Sequence, residues 1–134
     1  MKLGVFTVLY QDLPFKEMLD KVVEMGLEAV ELGTGYYPGK SHCDPSYLLN
    51  NPQALDEFIA EIDKRNLIIS GLSFHGNPLH PDKEIAKVSH NAWRDTVLLA
   101  EKLEIDIVNG FSGCPGDQPN AKYPNWVTCA WPPE

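Results

Sequence analysis

Positive charge, cysteine and long apolar runs are all scarce in this chain. Eleven Lys and Arg residues face 19 Asp and Glu, for a formal net charge of -8. A nucleic-acid binder needs a basic face to neutralise phosphates, so no nucleic-acid partner is expected. An anionic small molecule needs only a local positive site and stays open. The three cysteines, Cys43, Cys114 and Cys129, are odd in number and lack CxxC spacing. That favours free thiols in a reducing, cytoplasmic setting over a disulfide framework or a zinc cluster. No stretch approaches the roughly twenty apolar residues of a membrane span, so no membrane partner is expected. Residues 1–3 run straight into an alternating strand, which excludes a signal peptide. No GxGxxG turn follows the first strand, which weakens a dinucleotide-binding fold. Gly33-Thr34-Gly35 is a partial match that does not lead directly into a helix. No low-complexity linker or charge run divides the chain, so residues 1–134 read as a single domain.

What is present is alternation. Residues 3–8 are short, β-branched and apolar, a first strand. Pro14 then sits where a first helical turn tolerates it, and Phe15, Met18, Leu19, Val22 and Met25 recur at helical spacing. Gly26 ends that helix. Residues 29–32 form a second strand, followed by a long loop over 33–50, a length that usually covers or lines a site. Asn51-Pro52 caps a second helix whose apolar face is Leu55, Phe58, Ile59 and Ile62. Glu61 and Arg65 pair one turn apart on its exposed side. Residues 67–73 form a third strand. Asp82 caps a third helix presenting Ile85, Val88, Ala92, Thr96, Leu99, Ala100 and Leu103. Residues 105–111 form a fourth strand, and no helical period follows. Such βα units demand a parallel sheet with right-handed crossovers. Two architectures accommodate four strands: an open doubly wound sheet, or part of an eight-stranded barrel. The fold class expected is α/β, about half of a (β/α)8 TIM barrel, because the chain stops after its fourth strand.

Polar groups gather at the strand ends, where α/β proteins place their chemistry. His75 lies just past the third strand beside Gly76 and Asn77; it reads as a substrate hydrogen bond, a proton shuttle or a metal ligand, or else as a loop histidine tied to backbone. Glu31 interrupts an apolar strand. A buried carboxylate is costly unless paired, and His75 on the adjacent strand is its natural partner. Asn109 and Ser112 mark the end of the fourth strand and suit sugar hydroxyls. Trp126, Trp131 and Tyr123 crowd the terminal loop, where aromatics stack on a sugar ring or pack on a neighbouring helix. His80, before Pro81, reads as structural. His42-Cys43-Asp44 reads as a loop element, since adjacent residues rarely ligate one ion together. Cys114 is a weak nucleophile candidate, with no basic neighbour in sequence to lower its pKa. The substrate-binding set is therefore Glu31, His75, Asn77, Asn109, Ser112 and Trp126. No catalytic residue and no metal ligand is assigned.

Four segments, GLEAVELGTG (26–35), SHCDP (41–45), GLSFHGNPLHPD (71–82) and NGFSGCPGD with AKYPNWVTCAWPP (109–133), together resemble the N-terminal half of the sugar phosphate isomerase/epimerase family. These are xylose-isomerase-like (β/α)8 barrels, related to myo-inosose dehydratases, tagatose epimerases and endonuclease IV. The resemblance covers the whole chain. It implies a divalent metal (Mn, Mg, Co or Zn) in the full-length family, holding the carbonyl and hydroxyl oxygens of a sugar or sugar phosphate. A proton then moves between adjacent carbons through an enediolate. The family's metal ligands, Glu, Asp, His and Glu, stand on the fifth to eighth strands. The resemblance thus carries over Glu31, His75, Asn77, Asn109 and the Trp126 loop as substrate-side residues, and no metal is expected on this chain alone. Endonuclease IV recruits histidines at the ends of its third and fourth strands. His75 fits the third, but Asn109 occupies the fourth.

Three functions compete. The first is the N-terminal part of a sugar phosphate isomerase or epimerase. The second is a non-catalytic half-barrel module that pairs with another copy through open sheet edges. The third is a dehydratase or phosphodiesterase on the same fold.

Overall fold

The computed structural model describes residues 1–125. Among them, β1 (Gly4–Phe6), α1 (Phe15–Glu24), β2 (Ala29–Tyr36), α2 (Pro45–Asn50), α3 (Pro52–Asp63), β3 (Ile68–His75), α4 (Lys83–Lys102) and β4 (Val108–Gly110) follow in order. The strands form one sheet in the order β1-β2-β3-β4, every neighbouring pair parallel. Among the described residues no helix is long and apolar enough to cross a membrane.

Local chemistry sets the helix ends. The Asn51 side chain accepts from the Ala54 N–H at 3.2 Å, and Pro52 fills the first helical position. Asp82 accepts from Glu84 N–H at 2.8 Å, fixing the start of α4. Each such cap contributes about 1 kcal/mol. Gly26 follows α1 with φ +73°, a conformation that costs glycine little.

The side of the sheet on which the helices lie decides between the two architectures. Val30 and Leu32 of β2 and Leu72 of β3 share one buried cluster with Met18, Leu19 and Val22 of α1, Leu55, Phe58 and Ile62 of α3, and Leu99 and Ala100 of α4. A doubly wound sheet splits its helices between two faces and has two cores. Here all three long helices cover the same face, as staves of a barrel do. The opposite face carries Phe6, Glu31, Gly71, Ser73, His75 and Asn109, aligned by register and alternation.

Several boundaries differ from the sequence expectation. After Phe6 the first strand gives way to a 3-10 turn at Thr7–Tyr10. The stretch 33–50 is not one loop: β2 continues to Tyr36, and α2 occupies Pro45–Asn50, capped by Asp44. β3 runs to His75, so this histidine is the last strand residue. β4 shrinks to Val108–Gly110, leaving Ile107 exposed. On α4 the buried residues are Ala86, Ser89, Thr96, Leu99 and Ala100, whereas Ile85 and Val88 face outward. The helix lies close to the strand ends, and small side chains permit that approach.

The Glu61–Arg65 pair is more enclosed than its sequence position suggested. Arg65 is only 10% exposed and bonds Glu61 and Asp20, each at 2.6 Å, while Lys16 reaches Glu61 at 3.0 Å. This network joins α1 to α3. Hydrogen bonds from Arg65 and then Lys16 hold the Glu61 carboxyl down at about 2, against an ordinary 4.5. A depressed carboxylate stabilises the fold fully above its unfolded pKa and loses that contribution as pH falls through the folded value. Thermal melts should therefore show wild type losing stability between roughly pH 4.5 and 2, and Glu61→Gln lacking that component. Parallel pH profiles for the two proteins would contradict it.

Candidate substrate-binding site at the strand ends

Glu31 is the centre of the inner face. Its Oε1 accepts from Ser73 Oγ on β3 and from Asn109 Nδ2 on β4 at 3.1 Å. The carboxylate of β2 thus reaches across β3 to β4. Gly71 is its register partner; a Cβ there would crowd Ile107 at 3.3 Å and only touch Asn109 Nδ2, at 3.6 Å. The partner expected for Glu31 was His75. Ser73 and Asn109 take that place, because a register shift between Val30 and Glu31 aligns Glu31 with Gly71 and places it below the histidine. With Oε1 held by two donors, Oε2 carries no hydrogen bond from the described residues and is an open acceptor on this face.

Rings surround His75. Phe111 stacks on it with centroids 4.6 Å apart and planes 12° apart. Tyr37 lies nearly parallel at 6.4 Å, and Phe6 meets it edge-on at 6.3 Å. Each strand end supplies one member. Phe6 and Phe111 were not singled out from sequence, nor were Ser73 and Tyr37 assigned a role; the available signal was that each lies at or just past the end of a strand.

Asn77 is 4% exposed, and its amide is turned to backbone. Oδ1 accepts from Cys114 N–H at 2.8 Å and from Leu79 N–H at 3.2 Å, while Nδ2 donates to the Cys114 carbonyl at 3.0 Å. It clamps the segment after β4 to the segment after β3. Gly113 completes the fit with φ +93°; a Cβ there would lie 2.7 Å from Asn77 Oδ1. Asn77 therefore ties together the two segments that follow β3 and β4. Ser112 lies exposed in the clamped segment. Trp126, Trp131 and Cys129 fall outside the described residues. Tyr123 is exposed, with Lys122 Nζ 5.7 Å from its ring centroid.

The remaining histidines and cysteines among the described residues sit among backbone partners. His80 is buried, and its Nδ1 accepts from Asp82 N–H at 2.9 Å. His42 Nε2 bonds the Leu13 carbonyl at 2.9 Å. Burial pushes the Cys43 thiol up to about 12, so it stays protonated and inert. Cys114 Sγ lies 3.6 Å from the Pro115 carbonyl. Among the described residues no group of three or more His, Cys, Asp or Glu side chains is placed to hold a metal ion. A cavity of about 370 Å³ lined by Tyr36, Lys40, Val88 and Asp95 lies between β2 and α4, on the helix side of the sheet. In its lining, Thr34 Oγ1 donates to the Ser73 carbonyl at 3.0 Å and lies 3.0 Å from Thr96 Oγ1, tying α4 to β2 and β3.

Comparison with known proteins agrees with this geometry. Residues 19–131 match the family model described as xylose isomerase-like TIM barrel. The chain is 34% identical over 135 residues to the uncharacterized protein YfiH of Bacillus subtilis (strain 168); the match takes in 99% of the chain and 43% of that relative. The chain thus spans less than half the length of this relative. The matched family contains enzymes such as isomerases and epimerases. On the family match, the single-faced helix layer and the parallel strand order, the chain belongs to the xylose isomerase-like TIM barrel family.

Proposed function

We propose that this chain forms the substrate-side wall of a sugar or sugar phosphate isomerase or epimerase, in which a proton passes between neighbouring carbons through an enediolate. The observation that carries the reading is the Glu31 carboxylate, fixed by Ser73 and Asn109 at the strand ends with its second oxygen open. A carboxylate held by two donors loses little freedom on binding, so it accepts a hydroxyl hydrogen bond at low entropic cost. His75 stands two residues beyond Ser73 on the same strand face, offering a ring nitrogen to a substrate oxygen. Phe111, stacked on one face of the imidazole, shields that face from water. Asn77 holds the β4 segment in place and does not touch the substrate. The divalent ion implied by the sequence resemblance finds no complete ligand set among the described residues. No step is assigned to it, and the roles given to Glu31 and His75 are binding and orientation.

Two measurements test the reading. Titration of the chain with ketoses and aldoses, with and without phosphate, should show binding that Glu31→Gln weakens about tenfold, the scale of one charge-assisted hydrogen bond. Whole YfiH, incubated with the same sugars and divalent metal in D2O, should incorporate deuterium beside the carbonyl carbon. No exchange across the panel would sink the isomerase reading.

A further inference from the structure

We propose that the cavity between β2 and α4 is a second binding site, which takes a small organic cation: a primary amine or guanidine on a short apolar body. It is independent of the sugar reading, because Glu31 and His75 lie on the opposite face of the sheet. The space measures about 370 Å³, at the small end of ligand pockets. Pro45, Val88 and Ala92 give it carbon walls, and Lys40, Asp44 and Asp95 bring charge to it.

Two of those charges cancel. Lys40 Nζ bonds Asp44 Oδ2 at 2.7 Å, and Asp44 Oδ1 accepts from the Tyr47 N–H at the start of α2. Asp95 is left over. It is half-buried, and among the described residues no group bonds its carboxylate. The helix gives no local reason for an acid here. Asp is a poor residue inside a helix, and this one stands far beyond the first turn of α4, where negative charge is favoured. Its neighbours one turn away are Asn91, Ala92, Leu98 and Leu99, so no cation pairs with it along the helix. A carboxylate set against carbon walls loses hydration and gains nothing until a cation arrives.

The walls are fixed in advance. Tyr36 leaves β2 with φ +60°, in the left-handed region that bulky residues avoid. Its hydroxyl accepts from Ser89 Oγ of α4 at 2.7 Å, and its ring meets Phe74 edge-on. Backbone strain held in this way clusters at ligand clamps, and a preformed cavity needs little ordering on binding. The lining also selects the ligand. A hard metal ion needs about six oxygen ligands, and among the described residues no three His, Cys, Asp or Glu side chains are placed to share one ion. An anion meets Asp95 with no free partner in return, because Asp44 holds Lys40. An ammonium needs one carboxylate and room for its carbon chain, which Asp95, Val88 and Ala92 supply.

The test uses the 134-residue chain and three probes of one length: n-pentylamine, 1-pentanol and pentanoate. NMR titration should show pentylamine saturating shifts at Val88, Ala92 and Asp95. It should bind about tenfold tighter than pentanol, and pentanoate should not bind. The preference should persist in about 0.5 M salt, which screens exposed charges but spares a partly buried pair. Asp95→Asn should lose about tenfold in amine affinity, leave pentanol binding unchanged and melt no lower than wild type. Equal affinity for amine and alcohol overturns the proposal. So does an attraction that vanishes in salt or scatters its shifts over the surface, since a chain of net charge -8 gathers cations diffusely. A marked fall in the Tm of Asp95→Asn also overturns it, by showing that the fold itself uses the charge. The three probes on wild type decide the matter without any variant.

Discussion

Truncating Phe74 to alanine should lower folding stability by about 3–5 kcal/mol, the range found for large aromatic core deletions. Phe74 is fully buried on β3 and meets Tyr36 edge-on at 5.2 Å and Trp93 at 5.6 Å. Its surroundings have little room to collapse into the space left behind. A Cβ on Gly76 would lie 2.4 Å from the Phe74 ring, and one on Gly110 would lie 2.2 Å from Trp93, so backbone already presses on both rings. The cavity term therefore adds nearly in full to the lost transfer energy. Phe74 also lies between Ser73 and His75, whose side chains point to the other face of the same strand. Loosening it should blur both the Glu31 tie and the ring hub. Urea unfolding should show the midpoint falling with an unchanged slope. A loss under about 1 kcal/mol would mean that the helix-side core tolerates repacking here.

Asn77→Ala should cost about 1–3 kcal/mol, with a second effect that a purely structural position would not show. The alanine leaves the N–H groups of Cys114 and Leu79 and the Cys114 carbonyl without their protein partner. Water reaches part of this region, which keeps the cost below that of a deep core site. The β4 segment is then released, and Phe111 with it. Hydrogen exchange at the Cys114 amide should accelerate at least tenfold (about 1.4 kcal/mol of local opening), and on the proposed function sugar affinity should fall with it. Asn77→Asp is the informative companion. It keeps an acceptor for both N–H groups but sets a carboxylate against the Cys114 carbonyl, so it should recover only part of the loss.

The helical half of the fold was legible because its signals are local. Asn51 and Asp82 cap the helices that their positions predicted, and Leu55, Phe58 and Ile62 line the buried side of α3. The sheet was harder. Gly33-Thr34-Gly35 opens what the sequence offers as a long loop, yet β2 runs through it, because Thr34 is buried and bonded to β3. α2 spans six residues, too few to show a periodicity. On α4 the expected Thr96, Leu99 and Ala100 are buried, but at its amino-terminal end apolar size pointed to Ile85 and Val88, whereas close approach selected Ala86 and Ser89. For the site, the residue types Glu31, His75 and Asn109 were readable at the strand ends. Their pairing was not, because it depends on a register shift that no local pattern encodes. The ring cluster has the same origin. Positions 6, 37, 75 and 111 are scattered in sequence, and only parallel pairing brings them side by side.

The tie between Glu31 and Asn109 spans 78 residues, whereas each strand pairs with the next one along the chain. During synthesis the amino-terminal units can therefore dock one by one, each on a neighbour already made. The carboxylate must wait, since its second anchor arrives only with the last strand of the four. A nascent chain halted after α4 would own a helix-covered sheet of three strands and a Glu31 still swinging from a single hydroxyl. Fixing the Glu31 carboxylate is thus the final event in the maturation of this sheet, and it reports whether β4 has found its place.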